Sequence, residues 1–314
     1  MLVESTRSVA LEEDSDDRKP VRVVSAQVSV GQRIKEIWRS RELLLFLVRK
    51  ELKVKYKNSV LGFLWSLLNP ALTLIVYYVV FQLVLKNGIP YFAVFLFAGL
   101  LVWNFFQTSV MGATGAVVAN GGIVKKVAFP REVLALASVG SALVFFGLQL
   151  LVLVVALAGF RYSPVYSLLP LVLLGLVVIM VFASALSIFL SAVNVFLRDV
   201  QHLVEVLLMV WFWGTPIVYP YQEIASKLVN HHLTWLLWIY LADPLTSVVL
   251  AFQRSIYGKI SPKGLGNQVI HILPTTGPLW YVAVLGATLA VSCLLFIGAL
   301  VVFGRIEGNF AEEL

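Results

Sequence analysis

The sequence predicts an all-α polytopic membrane protein, and three observations predict it. Hydrophobic residues make up 60% of the chain and charged residues 13%, against about half and a quarter in soluble domains. Charge-free apolar intervals long enough to cross a bilayer recur along the chain. Lys and Arg cluster beside those intervals and not along them, so the net charge of +7 suits anionic headgroups better than nucleic acid. Six transmembrane helices are expected in one domain, preceded by an amphipathic interface helix, with re-entrant gate helices before the last span. No repeat of roughly 20 to 50 residues is evident.

The first thirty residues stand apart. Glu12, Glu13, Asp14, Asp16 and Asp17 precede Arg18-Lys19-Pro20 without an apolar period, which reads as a disordered tail and not as a signal peptide. From Gly31 to Lys57, Ile34, Ile37, Trp38, Leu45, Val48, Leu52 and Tyr56 recur at three- and four-residue spacing beside Arg39, Arg49, Lys50, Lys53 and Lys57. That pattern is a basic amphipathic helix lying on the membrane surface. Leu52, Val54 and Tyr56 also alternate as an edge strand would, but a lone strand at a bilayer leaves its backbone unpaired.

The spans follow from the charge-free intervals. Leu61 to Leu85 is the first, with a kink expected at Asn69-Pro70, where proline removes a backbone hydrogen bond. Pro90 to Met111, Val133 to Phe160, Leu168 to Leu190 and Val200 to Tyr219 are the next four. Residues 221–278 are mixed, their apolar pieces each too short to cross, and read as interfacial or re-entrant segments. Leu279 to Phe303 is the last span, leaving residues 305–314 as a C-terminal tail. With the N-terminus inside, one face collects fourteen Lys and Arg and the other six, so both termini are expected in the cytoplasm of an inner-membrane protein.

Absences narrow the chemistry. No Gly-x-x-x-x-Gly-Lys-Ser/Thr occurs, so the chain has no P-loop for ATP. Gly264-Leu265-Gly266 lacks a βαβ context and reads as a loop. His202, His231, His232 and His271 follow no metal-motif spacing, so no metal is expected. Cys293, the only cysteine, excludes an internal disulfide. The span interiors carry no ionisable group, unlike proton- or sodium-driven transporters. Energy must come from elsewhere, or the protein is a passive pore or a scaffold.

One basic loop, residues 113–131, mixes breakers, lysines and an aromatic: Asn120-Gly121-Gly122-Ile123-Val124-Lys125-Lys126-Val127-Ala128-Phe129-Pro130-Arg131. Two readings stand. It is a connector obeying the positive-inside rule, or a docking element with Phe129 as apolar anchor and Lys125, Lys126 and Arg131 at its rim. Arg198-Asp199 opens the fifth span, where Asp199 suits an N-cap and Arg198 suits a lipid pyrophosphate at the entrance.

Lys55-Tyr56-Lys57-Asn58-Ser59-Val60-Leu61-Gly62-Phe63-Leu64-Trp65-Ser66-Leu67-Leu68-Asn69-Pro70, the loop from Asn120 to Glu132, and Val195-Phe196-Leu197-Arg198-Asp199-Val200 resemble, in that order, polysaccharide ABC exporter permeases of the Wzm and TagG type. The resemblance runs from about Ile34 to the C-terminus. It implies a homodimer paired with two copies of a Wzt-like ATP-binding subunit, which would hold the ATP and Mg; this chain needs no cofactor of its own. The loop from Asn120 to Arg131 would seat in that subunit as a coupling helix, with Lys53, Tyr56 and Lys57 beside it. The apolar pieces between Tyr221 and Tyr257 would be gate helices, with Asp243-Pro244 standing where Asn-Pro is common in the family.

The implied cargo is a lipid-linked polysaccharide, O-antigen- or teichoic-acid-like or a cell-wall galactan. A sugar chain suits aromatic platforms and scattered amides, for which Trp65, Asn69, Tyr77, Trp211, Trp213 and Tyr219 are candidates. Aromatics are also ordinary interface anchors. Two further classes remain open: a permease for small hydrophobic drugs or lipids, and a membrane-embedded glycosyl- or acyltransferase, for which Asp199 and His202 are the only foothold.

Overall fold

The computed structural model describes residues 29–55, 57, 59–85, 89–230, 232–259, 272–274 and 276–314. The acidic run before Gly31, Tyr56, His231, His271 and Gly264-Leu265-Gly266 lie outside the described residues. Every regular element among the described residues is helical.

The interface segment is two helices where one was expected from Gly31 to Lys57. α1 is Val30–Arg39 and α2 is Arg41–Lys55. Ser29 opens α1 with a capping box, its hydroxyl accepting from the Gln32 amide while the Gln32 side chain accepts from the Ser29 amide. The Ser40 N–H closes α1 on the carbonyls of Glu36 and Ile37. The break lets the two helices meet different partners, α1 the last span and α2 the third.

Gly62, at φ +49°, makes the turn into the first span, its N–H donating to the Ser59 hydroxyl at 3.1 Å; only glycine enters that region without steric cost. α3 (Trp65–Tyr77) holds Pro70 within its helical run, and a π-helical turn follows at Tyr78–Val84. α4 (Phe92–Thr114) is mostly apolar, with Asn104, Gln107 and Thr108 on one side of its second half, and 78% of its apolar window is buried against 11% for the first span, residues 65–84. A helix apolar over so much of its circumference belongs inside a bundle. The short helices α5 (Ala116–Ala119) and α6 (Gly121–Val124) lead into α7 (Glu132–Gly159) and α8 (Leu169–Phe196).

α9 is Val200–Gly214, short of the expected span to Tyr219, because the chain leaves helical geometry at Thr215. Fifteen residues reach about 22 Å, less than a ~30 Å core. α10 (Tyr221–Asn230), α11 (Thr234–Ala242) and α12 (Pro244–Tyr257) follow, then α13 (Pro278–Ile306) and α14 (Phe310–Glu313). Among the described residues five helices are long and apolar enough to cross a membrane, six when α11 and α12, bent by 84°, are taken as one broken span.

α12 sits at the centre, against α4, α8 and α13. Two of its polar groups tie it to neighbouring segments: the Tyr257 hydroxyl donates to the Pro90 carbonyl at 2.8 Å and the Ser255 hydroxyl to the Leu168 carbonyl at 2.9 Å. A second apolar cluster lies at the end of the bundle that carries both terminal segments, built from α2, α5, the start of α7, the ends of α8 and α13, and Phe310.

Candidate functional site

Three groups of residues bear on function, and the fold places them at different levels of the bundle. The first lies at the end carrying the termini. Asn120 separates α5 from α6; its side-chain N–H donates to the Ala116 carbonyl at 2.8 Å, and its Oδ1 accepts from Lys50 at 3.1 Å. The loop between α4 and α7 is thereby tied to α2. Gly121 faces Leu314, Gly122 faces open space, and Lys125, Lys126, Lys53 and Lys57 are exposed.

Phe129 and Pro130 are only half-exposed, with Phe129 packed on the second cluster. The large exposed apolar side chains of this loop are Ile123 and Val127, which the sequence reading passed over. Arg131, expected at a docking rim, is turned inward: it donates to the Glu307 carbonyl and stands over the Phe310 ring.

Beneath that loop lies a charged group for which no pattern in the sequence prepared. Arg33 of α1, nearly buried, forms ion pairs with Glu132 at the start of α7 and Glu307 after α13. Burial alone would lower the Arg33 pKa, but the hydrogen bonds and charges of Glu307 and Glu132 outweigh it and hold the guanidinium above its ordinary value. Gly304 makes room, since a Cβ there would stand 2.6 Å from the guanidinium carbon. The signal was the glycine beside a charged span end, but its partner is 271 residues earlier in the chain (304 − 33).

The second group is a cavity of about 390 Å³ lined by Lys55, Ser59, Trp65, Ser66, Asn69, Pro70, Thr108, Phe145 and Gln149. It brings together Trp65 and Asn69, two of the expected path-lining residues, one helical turn apart on α3. Tyr77 is not among its walls; it is half-buried near Phe81, ring centroids 6.2 Å apart.

The third group surrounds Asp243. Its carboxylate caps α12 by accepting from the Leu245 and Thr246 amides, both at 3.1 Å, and also accepts from the Thr246 hydroxyl, the Thr215 hydroxyl and the Trp211 indole N–H. Pro244 occupies the first helical position, where its missing N–H costs nothing. The knot joins the end of α9 to the start of α12. Trp211 packs edge-on against Phe106 and Phe182, at 5.3 and 6.0 Å. Trp213 is exposed, and the Tyr219 hydroxyl donates to its carbonyl at 2.8 Å.

Asp199 stands at the N-cap position of α9 but makes no capping hydrogen bond, contrary to expectation. Its backbone is already helical (φ −66°, ψ −16°), and capping geometry needs an extended residue. Arg198 and His202 are exposed beside it. Among the described residues no three His, Cys, Asp or Glu converge to hold a metal ion.

Known proteins match over nearly the whole of this architecture. The family model described as ABC-2 type transporter matches residues 42–257, from α2 to the end of α12. The O-antigen export system permease protein RfbA of Myxococcus xanthus is 34% identical over 283 residues, 90% of this chain and 98% of the relative. A protein of the same name from Klebsiella pneumoniae is 33% identical over 276 residues, 87% of this chain and 95% of its own. The polysialic acid transport protein KpsM of Escherichia coli is 24% identical over 210 residues, 66% of this chain and 78% of its own. A continuous match of this length, on a bundle of long apolar helices, makes the chain a member of the ABC-2 type transporter family and a multi-pass membrane protein.

Proposed function

We propose that this chain is the permease subunit of an ABC exporter that moves a lipid-linked polysaccharide across the inner membrane. The observation that carries the reading is its similarity along 98% of an O-antigen export permease. In this reading both termini are cytoplasmic, which agrees with the basic face formed by α2 and the α6–α7 loop. ATP and Mg belong to a separate Wzt-like subunit, two copies of which serve a permease homodimer.

The geometry supports a division of labour. ATP-driven closure of the partner would push on α5, α6 and the exposed Ile123, Lys125, Lys126 and Val127. α4 joins that segment directly and, being the most buried span, would carry the displacement as a rigid body. α3 and α9 leave apolar faces uncovered, among them Leu72, Val76, Val206 and Met209. α9 also exposes Gln201, His202 and Glu205 in its first turns, groups that are costly against lipid and suit a second copy or a water-filled path. The path would run between the copies, beside Trp65 and Asn69.

The test is reconstitution. Co-expressed with its ATP-binding subunit, the chain should co-purify with it and restore surface polysaccharide to cells lacking their own permease. Failure to associate with any ATP-binding subunit would sink the reading.

A further inference from the structure

The cavity at the start of α3 sets one basic side chain, the partly exposed Lys55, among neutral polar and aromatic ones. Lys55 reaches into it with its Nζ 3.8 Å from the centroid of the Phe145 ring. Among the described residues no carboxylate pairs with that ammonium. Around it stand the Ser59 and Thr108 hydroxyls, the Asn69 amide and the Gln149 amide. Gln149 accepts through its carbonyl oxygen from Asn104 at 3.1 Å, which orients it and leaves its N–H donors for the cavity. Trp65 supplies a flat apolar wall. A lone cation, a ring of neutral donors and one indole face fit an anionic group joined to a sugar: the ammonium and amides bind phosphate oxygens, and the indole stacks on a pyranose ring.

Depth agrees with this. Asn69 is about 6 Å along α3 from its first residue, and Thr108 about 9 Å from the last residue of α4. Phe145 and Gln149 stand about 20 and 26 Å along α7 from its first residue, so the cavity runs inward from the end of the spans that carries α1 and α2. Its volume of about 390 Å³ falls in the ~300–1,000 Å³ range of small-ligand sites, room for a headgroup and not for a polymer. Arg198, the residue first considered for this role, is not among its walls.

We propose that this cavity is the docking site for the phosphate-linked first sugar of a lipid-borne glycan, with Lys55 as the cation, Asn69 and Gln149 as amide donors and Trp65 as the sugar platform. The proposal rests on the exporter reading above and names where its substrate's headgroup is held before translocation. A lysine at this depth could equally hold the phosphate of an ordinary membrane lipid, so the test separates the two sources.

The complete complex with its ATP-binding subunit, in phosphatidylcholine nanodiscs, is titrated with polyprenyl diphosphate-linked N-acetylglucosamine, with bare polyprenyl diphosphate and with phosphatidylglycerol. Lys55→Gln should weaken both diphosphate probes by about tenfold and Lys55→Arg by no more than about threefold, while Trp65→Ala should weaken only the sugar-bearing probe. Melting temperature and assembly of each variant are measured alongside, and the Arg variant preserves the test if Gln fails to fold. Equal binding by native and Lys55→Gln complexes overturns the proposal, as does phosphatidylglycerol competing as well as the sugar-bearing probe. Native complex that restores polysaccharide export but shows either overturning result leaves the exporter reading standing and removes this site alone. Native complex that binds the sugar-bearing probe through Lys55 supports the site even where the exported polymer differs from O-antigen.

Discussion

Asp243 receives donors on both carboxylate oxygens: the Trp211 indole and Leu245 amide on one, the Thr246 amide and two hydroxyls on the other. An amide in its place would offer one oxygen and one N–H₂, so at least one backbone or indole donor would lose its acceptor. Asp243→Asn is therefore expected to cost about 1–3 kcal/mol despite being a good N-cap, read as a lowered melting temperature of the purified protein. The departure from Asn-Pro noted in the sequence thus has a local reason. Arg33 makes the opposite kind of prediction. With Glu132 only 1% exposed, Arg33→Gln strands a buried carboxylate and should cost about 3–5 kcal/mol. Adding Glu132→Gln should recover part of that loss, and a double variant no more stable than Arg33→Gln alone would show that the pair is not coupled.

At the scale of elements, the C-terminal segment is a clasp. Phe310 is fully buried between Phe196 and Phe303, at 5.9 and 5.3 Å, with Arg131 above it, and Leu314 reaches Gly121 at the start of α6. Phe310→Ala should destabilise the chain by about 3–5 kcal/mol. The exposed lysines of the neighbouring loop should behave in the reverse way. Lys125→Glu with Lys126→Glu should leave the melting temperature within about 0.5 kcal/mol equivalent while weakening association with the ATP-binding subunit by tenfold or more, measured by co-purification across a salt series. The position of this loop was legible because its breakers and lysines are contiguous. Its partition into outward Ile123 and Val127 and inward Arg131 was not, since the C-terminal segment that captures Arg131 lies 176 residues away.

The whole molecule leaves α3 and α9 largely uncovered on one side. Cys293 is the only cysteine, so Cys293→Ser provides a clean background for cross-linking. Met209→Cys in that background should form a disulfide-linked homodimer in membranes, whereas Leu173→Cys, exposed on α8, should not. Cross-linking through Leu173 alone would move the interface away from α9 and the path away from Trp65 and Asn69.

Hydropathy is a property of each residue and its near neighbours, and for that reason the helical class, the long spans, the basic loop and the lack of a P-loop were all determined by the sequence by itself. The tertiary structure decided what depends on distant partners. It broke the surface helix at Ser40, stopped α9 at Gly214, and made α12 the centre of the bundle when its length alone argued for an interfacial piece. It joined Arg33 to Glu132 and Glu307, 99 and 274 positions away, and brought Lys55 to Phe145 and Gln149. Charge pairing and cavity chemistry act through space across the fold, and no local period records them.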